Sequence, residues 1–197
     1  MKADIVFFDF DGTITRKDTF LEFIKFYRGS YKFYIGFLIN SPFLIAYKLN
    51  LIPNYKAKQR ILKYFFKDEP FNRFQRLCDE FATRYLPKLI RPGALMEIEK
   101  LKRENIEVVI VSASASNWIT KWSTAMGLTL IATRLEVKDN KITGNIDGHN
   151  CYGAEKVNRI KELFKIDGYK AIHAYGDSNG DREMFKIAHK TFFKPFR

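Results

Sequence analysis

The chain has 197 residues, 46% of them apolar, enough to bury one core domain and a smaller appended unit. Its two cysteines argue against a disulfide framework, and the start of the chain, where Lys2 and Asp4 flank Ala3, has no apolar run long enough for a secretory signal, so a cytoplasmic location is expected. Lys and Arg number 34 against 22 Asp and Glu, a net charge of +12 with a pI near 9.6, which points to anionic partners: nucleic acid, a membrane surface or a phosphate.

Ile5-Val6-Phe7-Phe8 is too short and too rich in β-branched and aromatic residues for a helix and reads as a central strand. Asp9-Phe10-Asp11-Gly12-Thr13 follows, with Asp-Gly as the turn that ends the strand. Residues i and i+2 of an extended chain share a face, so Asp9 and Asp11 point into one space at the strand's carboxyl end, where open α/β sheets bind ligands. Two adjacent anions repel and require a cation. Taken alone, the same residues also fit an ordinary turn with solvated carboxylates.

Between Arg16 and Ile90 the chain carries fifteen Lys and Arg against six Asp and Glu, yet Phe33 to Tyr47 has no charge at all. That uncharged run is shorter than the ~20 residues a membrane span needs and is broken by Asn40-Ser41-Pro42. Two readings stand: an interfacial segment held on anionic lipid by Lys25, Arg28, Lys32, Lys48, Lys56 and Lys58, or the buried core of a helical hairpin with a solvated basic exterior. Cys78, on a helix expected over Phe71 to Tyr85, reads as a packing residue.

Beyond Ile90, helix and strand alternate as a parallel sheet requires. Pro92-Gly93 opens a helix with the stripe Leu95, Ile98, Leu101, and Ile106 to Val111 is the next strand. It ends in Ser112-Ala113-Ser114, a hydroxyl and small residues whose backbone N–H groups can approach an anion. A helix around Asn117 to Met126, a strand Leu128 to Ala132 and a hairpin turning at Asp139-Asn140 follow. Lys156 opens a helix reaching Phe164 and offers a compact cation; Cys151 before it reads as a buried thiol or a site-lining one. The strand Ala171 to Tyr175 then delivers Gly176-Asp177-Ser178-Asn179-Gly180-Asp181, ahead of a helix Arg182 to Ala188 and a strand near Thr191 to Phe193. His149, His173 and His189 have no metal-ligand spacing.

This order of four motifs, from Asp4 to about Phe193, resembles the haloacid dehalogenase superfamily of phosphohydrolases. The insertion after the first motif resembles the subgroup with a helical cap there, which includes phosphoserine phosphatases and phosphatidylglycerophosphatases. The resemblance implies an α/β fold: a Rossmann-like parallel sheet with helices on both faces and an inserted α-helical cap. The catalytic core would be residues 1–15 and 91–197, and the cap residues 16–90. It further implies a magnesium-dependent phosphomonoesterase in which Asp9 attacks phosphorus, Asp11 protonates the leaving group and then activates water, and Lys156 completes the catalytic set. Gly12, Ser112, Ala113 and Lys156 would bind the phosphoryl oxygens; the carboxylates of Asp9 and Asp177 with the backbone carbonyl of Asp11 would hold the metal, and Asp181 would act behind it.

In the cap, the resemblance marks Asp18 and Arg60 as substrate contacts, and Asp18 also suits the N-cap of a helix beginning near Thr19. Gly12 and the Gly-Asp-Ser-x-x-Asp form depart from the phosphoserine phosphatase pattern and look more like the phosphatidylglycerophosphatase branch. The expected substrate is therefore a phospholipid monoester such as phosphatidylglycerophosphate, with peripheral contact to an anionic membrane; the alternative is a small soluble phosphate, phosphoserine or histidinol phosphate. Aromatics interleaved with lysines, as in Lys63-Tyr64-Phe65-Phe66-Lys67, would also suit nucleic acid, but no nucleic-acid motif is present and none is expected as a partner.

Overall fold

The computed structural model describes residues 3–49 and 51–197. Its centre is a six-stranded sheet in the order β4-β3-β2-β1-β5-β6, with β1 at Ile5–Phe8, β2 at Glu107–Ala115, β3 at Thr129–Lys138, β4 at Lys141–Asp147, β5 at Ile172–Gly176 and β6 at Lys190–Phe193. All neighbours are parallel except the β3–β4 hairpin. β1 lies between β2 and β5, with Phe8 opposite Ile110 on one side and Tyr175 on the other. The turns after these three strands therefore meet at one edge of the sheet, which brings the sequence motifs together.

Alternation along β1 explains the helices on both faces. Val6 and Phe8 pack with Ala94, Ile98 and Leu101 of α6 (Pro92–Arg103), while Ile5 and Phe7 pack with Ile160 of α8 (Ala154–Leu163) and Met184 of α9 (Arg182–Lys186). The helix expected around Asn117 to Met126 divides into a tight turn at Ser116–Trp118 and α7 at Thr120–Ala125, and the strand expected to stop at Ala132 continues through Lys138 as one arm of the hairpin.

Among the described residues the insertion forms the α-helices α1 (Thr19–Arg28), α2 (Ser30–Ile39), α3 (Ser41–Lys48), α4 (Asn54–Phe66) and α5 (Phe71–Glu80). The last stays helical through Tyr85, as expected, but its final turn over Phe81–Tyr85 widens to a π-helix, where Phe81 and Ala82 are buried. Phe23 is the hub of the interior, with ring contacts to Phe66, Phe74, Phe81 and, at 4.9 Å, Trp118 of the sheet domain. Phe65 and Phe66 are buried, so much of the aromatic content among the lysines is packing and not a base-stacking surface. Glu69 ties the helices electrostatically, accepting from Tyr27 Oη at 2.8 Å and from Arg28 Nη2 at 2.5 Å.

Two links join the inserted helices to the sheet domain side by side, with Arg16 N–H donating to Leu89 O at 2.9 Å and Arg91 N–H to Ile14 O at 2.8 Å. A second attachment runs to the hairpin. Asp68 N–H donates to Ile142 O and Ile142 N–H to Glu69 O, each at 2.9 Å. A Cβ on Gly144 of β4 would lie 2.6 Å from Lys63 Cα, so the backbone of α4 rests directly on the strand. No helix among the described residues is long and apolar enough to cross a membrane.

Candidate active site

Asp9 leaves β1 with its N–H bonded to Tyr175 O at 2.9 Å, which fixes it beside the strand leading to Asp177. Lys156, buried in the first turn of α8, donates to Asp9 Oδ1 at 2.6 Å and to Asp181 Oδ1 at 2.7 Å. The other Asp181 oxygen accepts from the backbone N–H groups of Asp177 and Ser178 and from the Ser178 hydroxyl, at 3.1, 3.0 and 3.0 Å. Asp9, Asp177 and Asp181 each bring an oxygen within 4.8 Å of the others. Arg197 donates to Asp177 Oδ2.

Burial pushes the Asp9 carboxyl up to about 7 against the pull of Lys156, with the Asp181 carboxylate adding to the rise. Burial alone would lower the Lys156 ammonium, but Asp9 and Asp181 outweigh it and hold it above the ordinary lysine value. Three carboxylates around one ammonium leave an excess of negative charge, and the donor set is oxygen without His or Cys. Such a set fits a hard divalent cation such as magnesium. The third carboxylate of this cluster is Asp181 and not that of Asp11; the sequence reading gave Asp11 a part only through its backbone carbonyl.

The Asp11 side chain faces the inserted helices. It accepts from Thr19 N–H at 2.6 Å, at the positive end of α1, and from Ser114 Oγ at 2.5 Å. Ser114 lines the cavity with Ala113, whereas Ser112 is fully buried and its Oγ accepts from Ser114 N–H at 3.0 Å. Gly12 has φ +85°, and a Cβ there would lie 2.3 Å from Asp177 Oδ2, so only glycine lets the two motifs come this close.

Above these groups lies a cavity of about 330 Å³, walled on the far side by Phe20, Leu21, Phe37, Leu44, Tyr47 and Ile61. Asp18 lines it and also caps α1, its Oδ1 accepting from Leu21 N–H at 3.1 Å. Desolvation and the Asp11 carboxylate push the Asp18 carboxyl up to about 6, an effect tempered by the residue's exposure to solvent. Arg60 is elsewhere. It is exposed, donates to Asn40 Oδ1 at 2.9 Å and does not line the cavity; the cation that does is Lys58. Asn54, Ala57, Lys58 and Ile61 form the inward stripe of α4, a spacing of i, i+3, i+4, i+7 that puts Arg60 on another face. That stripe was the available signal for Lys58. Its ammonium donates to Ala113 O and, at 3.4 Å, to Asn150 Oδ1; burial lowers its pKa while Asp18 and Asp11 pull it back up.

The family model for haloacid dehalogenase-like hydrolases matches residues 6–186. Protein CicA of Caulobacter vibrioides is 35% identical over 98% of this chain and 86% of its own length. The phosphoserine phosphatase of Methanocaldococcus jannaschii is 27% identical over 95% of this chain and 83% of its own. Among solved structures, a phospho-aspartyl intermediate analogue of phosphoserine phosphatase superposes with a TM-score of 0.69 at 22% identity, covering 97% of this chain and 86% of the other.

Proposed function

The chain belongs to the haloacid dehalogenase-like hydrolases and is a phosphatase of that family, and we propose that Asp9 is its nucleophile, in a magnesium-dependent reaction through an aspartyl-phosphate. The observation that carries this is the buried Lys156 ammonium held between Asp9 and Asp181, next to Asp177, at the carboxyl ends of β1 and β5. Magnesium would be held by Asp9, Asp177 and the backbone carbonyl of Asp11, and would supply charge neutralisation between a carboxylate nucleophile and a dianionic phosphate. Asp181, through its bonds to Lys156 and to the Asp177–Ser178 backbone, orients both.

In this reading Asp9 attacks phosphorus in line while Asp11 gives its proton to the departing alkoxide. Asp11 then takes a proton from the water that cleaves the aspartyl-phosphate. Its position between Thr19 N–H and Ser114 Oγ holds the carboxyl on the leaving-group side, facing the inserted helices. Lys156, the backbone N–H groups of Gly12 and Ala113, and the Ser112 hydroxyl, once turned from its own chain, would receive the phosphoryl oxygens as charge spreads over them. Residues 16–90 act as the cap that encloses the leaving group.

The largely apolar far wall of the cavity favours an amphiphilic leaving group, a phospholipid monoester handled at a membrane surface. A second reading has its own support. Asp18 and Lys58 in the same cavity offer an anion and a cation to a small zwitterion such as phosphoserine. Phosphate release from phosphatidylglycerophosphate, phosphoserine, histidinol phosphate and p-nitrophenyl phosphate, with and without magnesium, separates them. Asp9→Asn should abolish release from every substrate while leaving the circular dichroism spectrum unchanged. Full turnover in excess chelator, or in Asp9→Asn, would refute the mechanism; preference for phosphoserine would refute the lipid reading.

A further inference from the structure

The outer surface of the α2–α3 pair has the wrong composition for a face in water. On α2, Tyr31, Tyr34, Ile35 and Leu38 recur at i, i+3, i+4 and i+7 on the outward side, and Tyr31 and Leu38 are 79% and 73% exposed. The opposite side, Phe33, Gly36 and the C-cap Asn40, is buried, so α2 carries apolar residues on its outward side as well as its inward one, although only the inward side meets protein. On α3 and just beyond it, Pro42, Ile45 and Leu49 continue the exposed stripe, and no residue of α3 is fully buried. Leu51, 73% exposed, extends the stripe past the helix.

Along the stretch of chain that carries this surface the charges have one sign. From Phe23 to Lys67 the sequence contains no Asp or Glu, while Lys25, Arg28, Lys32, Lys48, Lys56, Lys58, Arg60, Lys63 and Lys67 fall within it. Lys32, Lys48 and Lys56 are exposed and have no ion pair among the described residues. A second copy of the chain is a poor occupant, since an isologous contact would set these cations against themselves. The other sides of the two helices, through Phe37, Leu44 and Tyr47, line the catalytic cavity, so the apolar surface and the site share two elements.

We infer that the α2–α3 face docks on an anionic lipid bilayer, with Tyr31, Tyr34, Leu38, Ile45 and Leu49 in the interfacial layer and Lys32, Lys48 and Lys56 against the headgroups. Docking sets Phe37 and Leu44, and the cavity behind them, next to the membrane. This deepens the phosphatase reading only in saying where its substrate is met; the docking surface itself requires no catalysis.

The test is co-sedimentation of the whole protein with phosphatidylglycerol vesicles and with phosphatidylcholine vesicles at low and high salt, alongside hydrolysis of p-nitrophenyl phosphate. The wild type should sediment with phosphatidylglycerol at low salt, release at high salt and leave phosphatidylcholine unbound. Leu38→Ser/Ile45→Ser/Leu49→Ser and, separately, Lys32→Glu/Lys48→Glu should each weaken binding about tenfold or more with unchanged hydrolysis of the soluble ester. The inference is overturned if the wild type stays unbound at low salt, if the triple apolar variant binds like wild type, or if sedimentation equilibrium shows a dimer that the apolar variant dissociates. Sedimentation without hydrolysis would leave the docking surface standing and remove the phosphatase reading; hydrolysis without sedimentation would do the reverse.

Discussion

Gly12 and Asp177 are 165 positions apart in the chain, yet a single methyl group would separate them. Gly12→Ala should force the Asp177 carboxylate aside and strain a backbone at φ +85°, raising the magnesium concentration for half-maximal activity about tenfold or more, at a stability cost of about 1–2 kcal/mol. Magnesium titration of turnover and a thermal melt check the two parts. Asp18 allows a different test. Its carboxyl is raised from 3.8 to about 6 in the fold, so its charged form is disfavoured there, and the stability present below pH 4 is lost as pH rises through 6. Asn caps a helix as well as Asp does and has no charge. Asp18→Asn should raise the melting temperature at pH 7.5 by about 2 °C and leave it unchanged at pH 4; equal shifts at both would show that the carboxylate's charge is not what matters.

Among elements, α4 separates two cations by helical phase alone. Lys58→Ala should change KM for the physiological substrate, while Arg60→Ala, which loses only the bond to Asn40, should not. Glu69 is the corresponding test of packing between helices. Burial would raise its carboxyl, but the bonds from Tyr27 and Arg28 hold it below the usual value, so its contribution is present at neutral pH and is lost as pH falls through that lowered value. Glu69→Ala should cost about 2–3 kcal/mol in urea unfolding at pH 7 and less in acid. The apolar runs of β1, β2 and β5 and the Asp-Gly turn after β1 made the sheet legible in sequence, because these are local signals; the meeting of Asp9, Lys156, Asp177 and Asp181 was expected from the family resemblance, since no local pattern brings such distant residues together. Lys58 was read as a cation facing lipid and not as one facing the cavity, since a cation's direction depends on which helical face is covered. The π-helical widening of the last turn at Phe81–Tyr85 depends on what Phe81 packs against, and the uncharged run 33–47 proved to be both buried and exposed, a division that composition cannot make.

For the whole molecule, the strand order has a consequence for synthesis. β1 is the first strand made and the one at the middle of the sheet, but its partner on one side, β5, begins at Ile172. Until Gly176 has left the ribosome, one edge of β1 has no partner, and until Phe164 has, Phe7 lacks the ring that packs against it with centroids 6.0 Å apart. An apolar strand with an open edge is the kind of segment that pairs with other chains. A nascent chain arrested before Ile172 should therefore recruit chaperones and precipitate on release, whereas one arrested behind an unstructured extension long enough for Phe193 to clear the ribosome, with β5 and β6 both in place, should resist protease. The strand that carries the proposed nucleophile is thus the one that waits longest for its neighbours, and the separation that assembles the site from distant segments also makes folding slow.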